Sequence, residues 1–306
     1  MAPKFIDCPA FLAELYTGDL TEIVPDLEIN VGSPDEAAAI EMLNGCALAV
    51  NDHTYMPEAL LKACPALKVI VFMGTGASSY IDVAAAERLN IGVRTIAGYG
   101  DRSVAEHAIA LMFAAGRQIS AMDHAVRQGV WDTLEGVEFA GKTLGVVGTG
   151  GIGREVCRLG DALGMKVIAW NRSGVPGDLP CESRELDALL AEADVVSLHL
   201  ALTEETRGMI DARRFGLMKP SAILINTARG GVVDEAAMVD ALKQRRIAHA
   251  GLDVFEPEPL PKDHVLTTLD NVTLTSHAAF MTKEASSRLL RMALEILREE
   301  RQALGV

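Results

Sequence analysis

TLGVVGTGGIGREVCRLGDALGMKVIAWNRS, residues Thr143–Ser173, contains the features that restrict this chain to one class of fold. An apolar run ending at Val147 leads into a glycine-rich turn, a helical segment follows, and a second apolar run covers Lys166–Trp170. Strand, glycine turn, helix and strand in this order form the context in which a G-x-G-x-x-G pattern binds a dinucleotide. The stretch therefore predicts a Rossmann-like unit with a dinucleotide site at its turn.

Each glycine of the pattern has a physical role. Gly148 permits the tight turn, Gly150 lets the backbone approach a pyrophosphate, and Gly153 lets the helix pack close to the strand. The amides at the helix start, from Gly151 and Ile152, face the phosphates. We therefore predict cofactor contacts at these residues. The alternative is a purely structural turn, and flavin and S-adenosylmethionine proteins also use glycine turns after strands.

The residues after the second strand indicate which dinucleotide is bound. NAD sites normally have an acidic residue about 20 positions after the glycines, where it binds the ribose hydroxyls, and this chain has Asn171 there. Without that carboxylate, Arg172 can pair with a 2′-phosphate and Ser173 can donate a further hydrogen bond. We expect NADP(H) to be favoured over NAD(H). The alternative is that Arg172 is a solvated surface residue and Asn171 serves NAD.

Composition excludes several classes of function. The 306 residues include 28 Lys and Arg against 42 Asp and Glu, a net charge of −14, so the surface repels nucleic acid and anionic membranes. No apolar stretch of about 18 residues is present, and the first residues lack the apolar region of a signal peptide. The five cysteines form no C-x-x-C pair, which argues against a disulfide framework or a zinc site. We expect no metal, no nucleic-acid or membrane partner, and a cytoplasmic location.

Strand-like and helix-like segments alternate along the chain, which is typical of parallel α/β folds, and the length favours two domains. Predicted strands are Ala47–Val50, Lys68–Phe72, Ile91–Thr95, Leu144–Val147, Lys166–Trp170, Asp194–Leu198, Ala222–Asn226, Ala250–Asp253 and Val272–Thr275. Predicted helices are Asp35–Leu43, Pro57–Ala63, Ile81–Leu89, Ser103–Ile119 and Lys283–Gln302. We expect an α/β protein of two Rossmann-like, doubly wound parallel-sheet domains with a cleft between them.

Two consecutive segments are candidates for a subunit interface. Ser103–Ile119 is apolar on nearly all sides, so a helix there must be buried between domains or subunits. The following Ser120–Gly141, which contains Trp131, is predicted to form an extended arm. We expect these two segments to supply the interface of a homodimer.

Three charged or titratable residues follow predicted strands in the second half of the chain. Arg229 lies in INTARGGVVDE, Glu258 in LDVFEPEPLP, and His277 in LTSHAAF. Ligands of open parallel sheets bind at the carboxyl ends of strands, so these three side chains are expected at one rim. Taken singly, the arginine is equally consistent with a surface ion pair, and the glutamate with a polar turn.

Taken together, the motifs resemble the D-isomer-specific 2-hydroxyacid dehydrogenases over nearly the whole chain. The resemblance rests on the glycine turn and on four segments that follow it in order: DVVSLHLALTEET (Asp194–Thr206), INTARGGVVDE (Ile225–Glu235), DVFEPEP (Asp253–Pro259) and SHAAF (Ser276–Phe280). It implies an NAD(P)-dependent dehydrogenase that reduces a small 2-keto acid, such as glyoxylate or hydroxypyruvate, to the 2-hydroxy acid.

The catalytic roles of the family fall on Arg229, Glu258 and His277. His277 would be the acid–base group, because imidazole titrates near working pH. Glu258 would hold the ring and favour its protonated form. Arg229 would clamp and polarise the keto acid, whose planar carboxylate suits a bidentate guanidinium.

The resemblance also implies further cofactor contacts. Asp253 would hold the nicotinamide carboxamide, and Thr227 and Ala228 would lie beside the nicotinamide ring. His199 and Thr206 would line the cofactor site near the end of the SLHL strand.

A glycine-containing loop is expected to bind the substrate together with the catalytic residues Arg229 and His277. Gly74, Thr75 and Gly76 form this loop, where small residues leave backbone amides accessible to a carboxylate. Its spacing to the next aspartate is one residue longer than is common in the family, which leaves open which amides bind.

The resemblance implies a discontinuous substrate domain, residues 1–101 plus 284–306, and a dinucleotide-binding domain, residues 102–283. Two alternatives stay open. The first is a phosphoglycerate dehydrogenase-like activity, for which Arg94 and Arg102 are the candidate phosphate ligands. The second is a dinucleotide-sensing corepressor, a binding protein with the same fold and the same catalytic trio.

Overall fold

Two sheets of parallel strands organise the computed structural model, which describes residues 2–305. The five-stranded sheet belongs to a discontinuous unit, made of the residues up to Gly100 and those from Thr282 onward. The seven-stranded sheet belongs to a central unit, Asp101–Met281. The prediction of an α/β protein with two parallel-sheet domains is confirmed.

The discontinuous unit has a sheet that is covered on both faces. Its strands are Lys4–Cys8 (β1), Glu28–Val31 (β2), Leu48–Asn51 (β3), Val69–Phe72 (β4) and Gly92–Arg94 (β5). Their spatial order is β2-β1-β3-β4-β5, and every neighbouring pair is parallel. All four residues of β3 and of β4 are buried, which is why these strands read as continuous apolar runs in the sequence.

The last helix of the chain completes the core of this unit. Its helices are Ala10–Ala13 (α1), Asp19–Ile23 (α2), Glu36–Leu43 (α3), Glu58–Ala63 (α4), Val83–Arg88 (α5) and Lys283–Leu304 (α12). Helix α12 begins at Thr282, whose hydroxyl accepts a hydrogen bond from the amide of Ala285, and it ends at a left-handed Gly305. Its apolar face, which includes Leu289 and Leu297, packs in one core cluster with Phe5 of β1.

The central unit contains the strand order that defines a nucleotide site. Its strands are Thr143–Val147 (β6), Lys166–Trp170 (β7), Glu182–Ser183 (β8), Val195–Leu198 (β9), Ile223–Asn226 (β10), His249–Leu252 (β11) and Val272–Leu274 (β12). Their order is β12-β11-β10-β9-β6-β7-β8, all parallel. The chain proceeds to opposite sides of β6, and ligands of such sheets bind at the carboxyl ends beside this reversal.

The helices of the central unit cover both faces of its sheet. They are Asp101–Gly116 (α6), Ile119–Arg127 (α7), Gly151–Ala162 (α8), Leu186–Glu192 (α9), Ala212–Phe215 (α10) and Glu235–Lys243 (α11). Helix α6 packs against α8 and against β10 and β11, so its apolar residues serve the core of this unit. Of the helices described in either unit, none has the length and apolar character needed to cross a membrane.

The boundary after α6 differs from the prediction of one helix over Ser103–Ile119. The helix ends at Gly116, because Gln118 adopts a left-handed conformation with φ of 52°. A second helix, α7, then occupies the first part of the predicted arm, and none of its residues is buried. Only the part of that arm after Arg127 lacks regular structure up to β6.

Three strands were not predicted from the sequence, and each has a local reason. Strand β1 carries Asp7, a charge unusual in a buried strand, whose carboxylate accepts hydrogen bonds from the amides of residues 52–54. Strands β2 and β8 lie at sheet edges and are largely exposed, so they lack an apolar run.

Candidate active site

The glycine turn joins β6 to α8 at the reversal of strand order. Gly148 has φ of 97°, and a Cβ on it would lie 2.4 Å from the carbonyl oxygen of His199. A Cβ on Gly153 would lie 1.9 Å from the carbonyl oxygen of Gly148. The turn therefore requires glycine at both positions, the first for its left-handed backbone and the second for close packing of the helix.

The outer part of the turn is open. Gly150 is exposed, and no atom lies within 4 Å of an ideal Cβ on it. Gly151 is exposed with its Cα beside the carboxylate of Asp101, and Ile152 is half-buried. No side chain caps the start of α8, so its first amides are available to an anion.

Three buried polar atoms at adjacent strand ends have no hydrogen-bond partner. They are Thr149 Oγ1 after β6, His199 Nδ1 after β9 and Thr227 Oγ1 after β10. Within residues 2–305 six buried side-chain polar atoms lack a partner, so half of them gather here. An unpaired buried polar group costs about 1–3 kcal/mol. A bound molecule with its own donors and acceptors removes that cost, and together with the open turn these atoms fit a dinucleotide.

His199 and Thr206, both predicted to line the cofactor site, differ in whether a side-chain polar atom remains without a hydrogen-bond partner. His199 Nε2 lies 2.8 Å from Ser197 Oγ, and burial lowers the pKa of His199 to about 3, so the ring is neutral near pH 7. The Thr206 hydroxyl donates to the carbonyl of Ala201 at 2.7 Å and accepts from the amide of Thr203 at 2.8 Å. The Thr206 side chain therefore closes its own turn.

Asn171 connects the end of β7 to the glycine turn. Its Oδ1 accepts a hydrogen bond from the amide of Thr149 at 3.2 Å, and its Nδ2 donates to Ser173 Oγ at 2.8 Å and to the carbonyl of Gly174 at 3.1 Å. Arg172 and Ser173 are both exposed. The side-chain amide of Asn171 thus fixes the turn after β7. The Arg172 guanidinium extends from this fixed backbone.

Asp253, fully buried after β11, organises the segment that follows β12. It accepts hydrogen bonds from the Thr275 hydroxyl at 2.6 Å and from the amides of Ala278 and Ala279 at 2.9 and 3.0 Å. His107 of α6 lies 3.1 Å from Thr275 Oγ1 and 3.5 Å from the carboxylate. Burial alone would raise the pKa of Asp253, but these donors outweigh it and lower the pKa. Both carboxylate oxygens therefore hold protein groups in place.

His277 lies in the segment that Asp253 holds. Its backbone is left-handed, with φ of 52°, and its amide donates to the carbonyl of Asp253 at 2.8 Å. Its Nδ1 lies 2.7 Å from Glu258 Oε2, and Glu258 Oε1 accepts from the amide of Phe255 at 2.9 Å. Burial opposes ionisation of Glu258, yet these hydrogen bonds and the charges of His277 and Arg229 lower its pKa. In the described part of the chain His277 Nε2 contacts no polar group, so it is available to a substrate.

Arg229 begins the loop after β10, and the side chain of Asn226 shapes that loop. Asn226 Oδ1 accepts from the amide of Ala228 at 3.0 Å, and its Nδ2 donates to the carbonyl of Arg229 at 3.0 Å. Arg229 Nη1 donates to the carbonyl of Ala228 at 2.6 Å. No carboxylate among residues 2–305 pairs with this half-buried guanidinium, so it retains donors for an anionic ligand.

The loops that carry Arg229 and Glu258 pack backbone against backbone. A Cβ on Gly230 would lie 2.3 Å from the carbonyl carbon of Phe255, so a side chain there would separate the two loops. This contact places the charge of Arg229 where it acts on Glu258. The structure thus brings Arg229, Glu258 and His277 together at the carboxyl ends of β10, β11 and β12.

The predicted substrate loop follows β4 in the discontinuous unit. The amide of Gly74 donates to the carbonyl of Phe72, and its carbonyl accepts from the amide of Ile96, both at 2.8 Å. Thr75 is exposed and Gly76 is half-buried. Their two amides donate to no acceptor in residues 2–305, and the loop thus offers two backbone donors.

The candidate phosphate ligands are paired with carboxylates. Arg94 is bonded to Glu300. Arg102 pairs with Glu106 at 2.7 Å and with Glu155 at 3.1 Å. Neither arginine is therefore a ready anion site. Among the described residues, no group of three or more His, Cys, Asp or Glu side chains is arranged so that it could hold a metal ion.

The sequence analysis did not identify the residues that position Asp253 and the Arg229 loop. His107 and Thr275 contact Asp253, and Asn226 shapes the Arg229 loop. One signal was available: His107 is a polar residue in a largely apolar helical stretch. No comparable signal marks Thr275 or Asn226, because their roles depend on neighbours far away in the chain.

Comparison with known proteins gives consistent results. A family model described as D-isomer specific 2-hydroxyacid dehydrogenase, NAD binding domain, matches residues 109–279. A glyoxylate reductase of Aeropyrum pernix is 44% identical over 250 residues, which cover 78% of this chain and 74% of that protein. A hydroxypyruvate reductase of Thermotoga maritima is 39% identical over 264 residues, 85% of each chain. A solved acyclic imino acid reductase in complex with NADPH and D-arginine matches with a TM-score of 0.84 at 30% identity, covering 100% of this chain and 97% of that one.

Proposed function

Because this chain belongs to the family of D-isomer specific 2-hydroxyacid dehydrogenases, we propose that it reduces a small 2-keto acid of the glyoxylate or hydroxypyruvate type to the 2-hydroxy acid. It is an oxidoreductase that acts on the CH–OH group of hydroxy acids with a nicotinamide dinucleotide. The observation that carries the substrate proposal is the His277–Glu258 pair, 2.7 Å apart, beside Arg229.

His277 is the proton donor in this proposal. The bound cofactor supplies a hydride to the carbonyl carbon of the keto acid. His277 gives the proton on Nε2 to the carbonyl oxygen, and Glu258 fixes the ring through Nδ1. In the opposite direction the neutral imidazole takes the proton from the hydroxyl group.

Each of the two units has a set of donors that suits a carboxylate. Arg229 has guanidinium donors without a carboxylate partner in residues 2–305, and a fork of donors fits a planar carboxylate. The amides of Thr75 and Gly76 are the second set. We assign the discontinuous unit as the substrate domain and the central unit, Asp101–Met281, as the dinucleotide-binding domain, with boundaries one or two residues from those expected from the sequence.

The test is oxidation of NADPH and NADH, followed by absorbance, with glyoxylate, hydroxypyruvate, pyruvate and a phosphorylated keto acid. We expect turnover with a small unphosphorylated acid, since Arg94 and Arg102 are already paired with carboxylates. Turnover confined to the phosphorylated acid would favour a phosphoglycerate dehydrogenase-like activity. No turnover with any acid, despite nucleotide binding, would contradict the proposed reaction.

We propose NADP(H) as the favoured cofactor. Asn171 occupies the place of the usual acidic residue, and its amide is bonded to Thr149 and Ser173. Arg172 next to it is exposed and pairs with the equally exposed Glu205, so a 2′-phosphate can reach its guanidinium by displacing that carboxylate. The ratio of kcat/KM for NADPH and NADH tests this preference, and equal values would contradict it.

A homodimer is proposed from the surface around α7. Apolar side chains are exposed in this stretch, and the largest, Trp131, is 87% exposed. The others are Ile119, Val126, Val130 and Leu134. Exposed apolar patches of this kind mark interaction surfaces. Light scattering should give twice the chain mass, and Trp131→Glu should shift the protein toward the monomer. A monomeric wild-type protein would contradict the proposal.

We also propose that the enzyme works in the cytoplasm. All five cysteines are free thiols, as is usual for proteins of a reducing compartment. Cell fractionation with detection of the native protein tests this location.

A further inference from the structure

An ion pair joins the turn after β7 to the loop after β9. Arg172 Nη1 contacts Glu205 Oε2, and the side chains are 74% and 69% exposed. Because both groups face solvent, a ligand can reach the guanidinium. The carboxylate comes from a loop distant in sequence, so the pattern around Asn171 does not reveal it.

We propose that Glu205 is a specificity-determining residue that competes with the cofactor 2′-phosphate for Arg172 and so limits the preference for NADPH. The inference rests on the proposed binding of the dinucleotide at the glycine turn. Glu205 brings to this turn, from a neighbouring loop, the negative charge that Asn171 lacks.

The backbones on both sides of the ion pair are fixed. Asn171 holds the turn before Arg172 through its bond to the amide of Thr149. Thr206, buried next to Glu205, holds the other loop through bonds to Ala201 and Thr203. The Arg172 guanidinium and the Glu205 carboxylate therefore face each other because the backbones of their two loops are held in place.

The charge of the ligand determines the sign of the effect. A phosphate monoester carries about −1.5 to −2 charge near pH 7, whereas the 2′-hydroxyl of NADH is neutral. A phosphate that reaches Arg172 must displace the carboxylate of Glu205 and then remain near a like charge. NADH has neither cost, so removal of the Glu205 carboxylate should strengthen the binding of NADPH more than that of NADH.

Glu205→Gln tests the inference through binding alone. Dissociation constants for NADPH and NADH are measured by the fluorescence of the reduced nicotinamide, without keto acid. Because the groups are exposed and screened, we expect Kd for NADPH to fall about 3- to 10-fold and Kd for NADH to change less than about twofold. The gain should shrink as salt is added.

Glu204→Gln is the matched control. Glu204 is exposed, precedes Glu205 directly and pairs with no cation in the described part of the chain. Its substitution removes the same charge without freeing Arg172, and it should leave both affinities nearly unchanged. An equal gain in the Glu204→Gln variant would overturn the inference, because the effect would then reflect net charge alone.

A double-mutant cycle with Arg172→Ala separates competition from other effects. The gain from Glu205→Gln should shrink at least about threefold in the Arg172→Ala background, since coupled neighbours are not additive. Undiminished gain there, or no gain in the wild-type background, would overturn the inference. Failure of keto acid reduction with these binding results intact would overturn the proposed reaction only, and absence of binding for both nucleotides would overturn both.

Discussion

Two groups of strand-end residues in the central sheet differ in how completely their polar atoms are paired. Thr149, His199 and Thr227 form the first group, the nucleotide end, and Asp253, Glu258 and His277 form the second group, the acid–base end. Every residue of the nucleotide end has a buried polar atom without a partner. At the acid–base end all four carboxylate oxygens and the imidazole Nδ1 are hydrogen-bonded.

The difference separates binding from chemistry. Under the proposed function, the unpaired groups of the nucleotide end meet the cofactor, and in the free protein they carry a cost. Under the same proposal, the groups of the acid–base end act on the reacting atoms, and the protein holds them in place, where orientation contributes to rate. The two ends should therefore respond in opposite ways to loss of a polar group.

The largest effect is expected for His277→Gln. Glutamine keeps a donor toward Glu258 but transfers no proton, so kcat should fall about 10²- to 10⁴-fold. The Kd for NADPH should stay within about twofold, because the substitution leaves the glycine turn and the nucleotide end unchanged. Steady-state kinetics and fluorescence titration measure the two quantities. The neighbouring Ser276→Ala should behave as wild type, and near-normal turnover of His277→Gln would refute the proton-donor role.

The free energy of unfolding should decrease at acid pH because of His199. Its pKa is about 3 in the folded chain, whereas an imidazole without burial has a pKa of 6.5, so between these values only the unfolded chain binds the proton. The stability is therefore present above pH 6.5 and is lost as the pH falls toward 3. From pH 6.5 to 4.5 this amounts to about 2–3 kcal/mol. Urea unfolding should show a smaller loss over this range for His199→Gln.

His249 provides the internal reference for that measurement. Burial lowers its pKa to about 4, so it contributes a loss of the same sign in both proteins. The difference between wild type and His199→Gln therefore reports His199 alone. Equal pH dependence of the two proteins would show that His199 is not buried as a neutral ring.

Thr275→Val should destabilise the acid–base end. The Thr275 hydroxyl donates to the buried carboxylate of Asp253 at 2.6 Å, and valine leaves that oxygen with one donor fewer. A hydrogen bond to a charged group contributes about 1.5–3 kcal/mol, which the free energy of unfolding should lose. Turnover should also fall, since Asp253 holds the backbone of His277. Unchanged stability would refute the positioning role of Asp253.

Thr227→Val should give the smallest effect, with the opposite sign. The buried Thr227 hydroxyl has no partner within residues 2–305, so replacing it with a methyl group should stabilise the free protein by up to about 1 kcal/mol. Affinity for NADPH should fall several-fold, by about the value of one hydrogen bond. Thermal unfolding with and without NADPH measures both changes. A loss of stability similar to that of Thr275→Val would remove the distinction between the two ends.

Local patterns predicted much of this architecture. The α/β class, the family and the oxidoreductase activity are confirmed. They could be predicted because each follows from apolar runs and motifs with fixed spacing. Strands β3, β4, β6 and β7 are apolar runs in the sequence since their residues are buried in the sheets. The assigned roles of Arg229, Glu258 and His277 stay predictions, although the structure brings these side chains together.

Contacts between residues distant in the chain could not be predicted from the sequence. That Asp253 holds the nicotinamide carboxamide stays a prediction, and the sequence did not indicate that its oxygens accept hydrogen bonds from Thr275 and from the amides of Ala278 and Ala279. The helix break was missed because the left-handed residue is a glutamine, Gln118, and Gly116 two positions before it was taken as part of a continuous helix. The partner of Arg172 was missed because Glu205 lies 33 positions away along the chain.

Helix α12 affects the order in which the nascent chain can fold. Leu289 and Leu297 of α12 fill the core that also contains Phe5, so the discontinuous unit lacks part of its interior until α12 has left the ribosome. The central unit, Asp101–Met281, has a continuous chain and no such dependence. Domains generally fold as units during synthesis. The discontinuous unit, whose first strands are made before the central unit, should therefore finish folding after it.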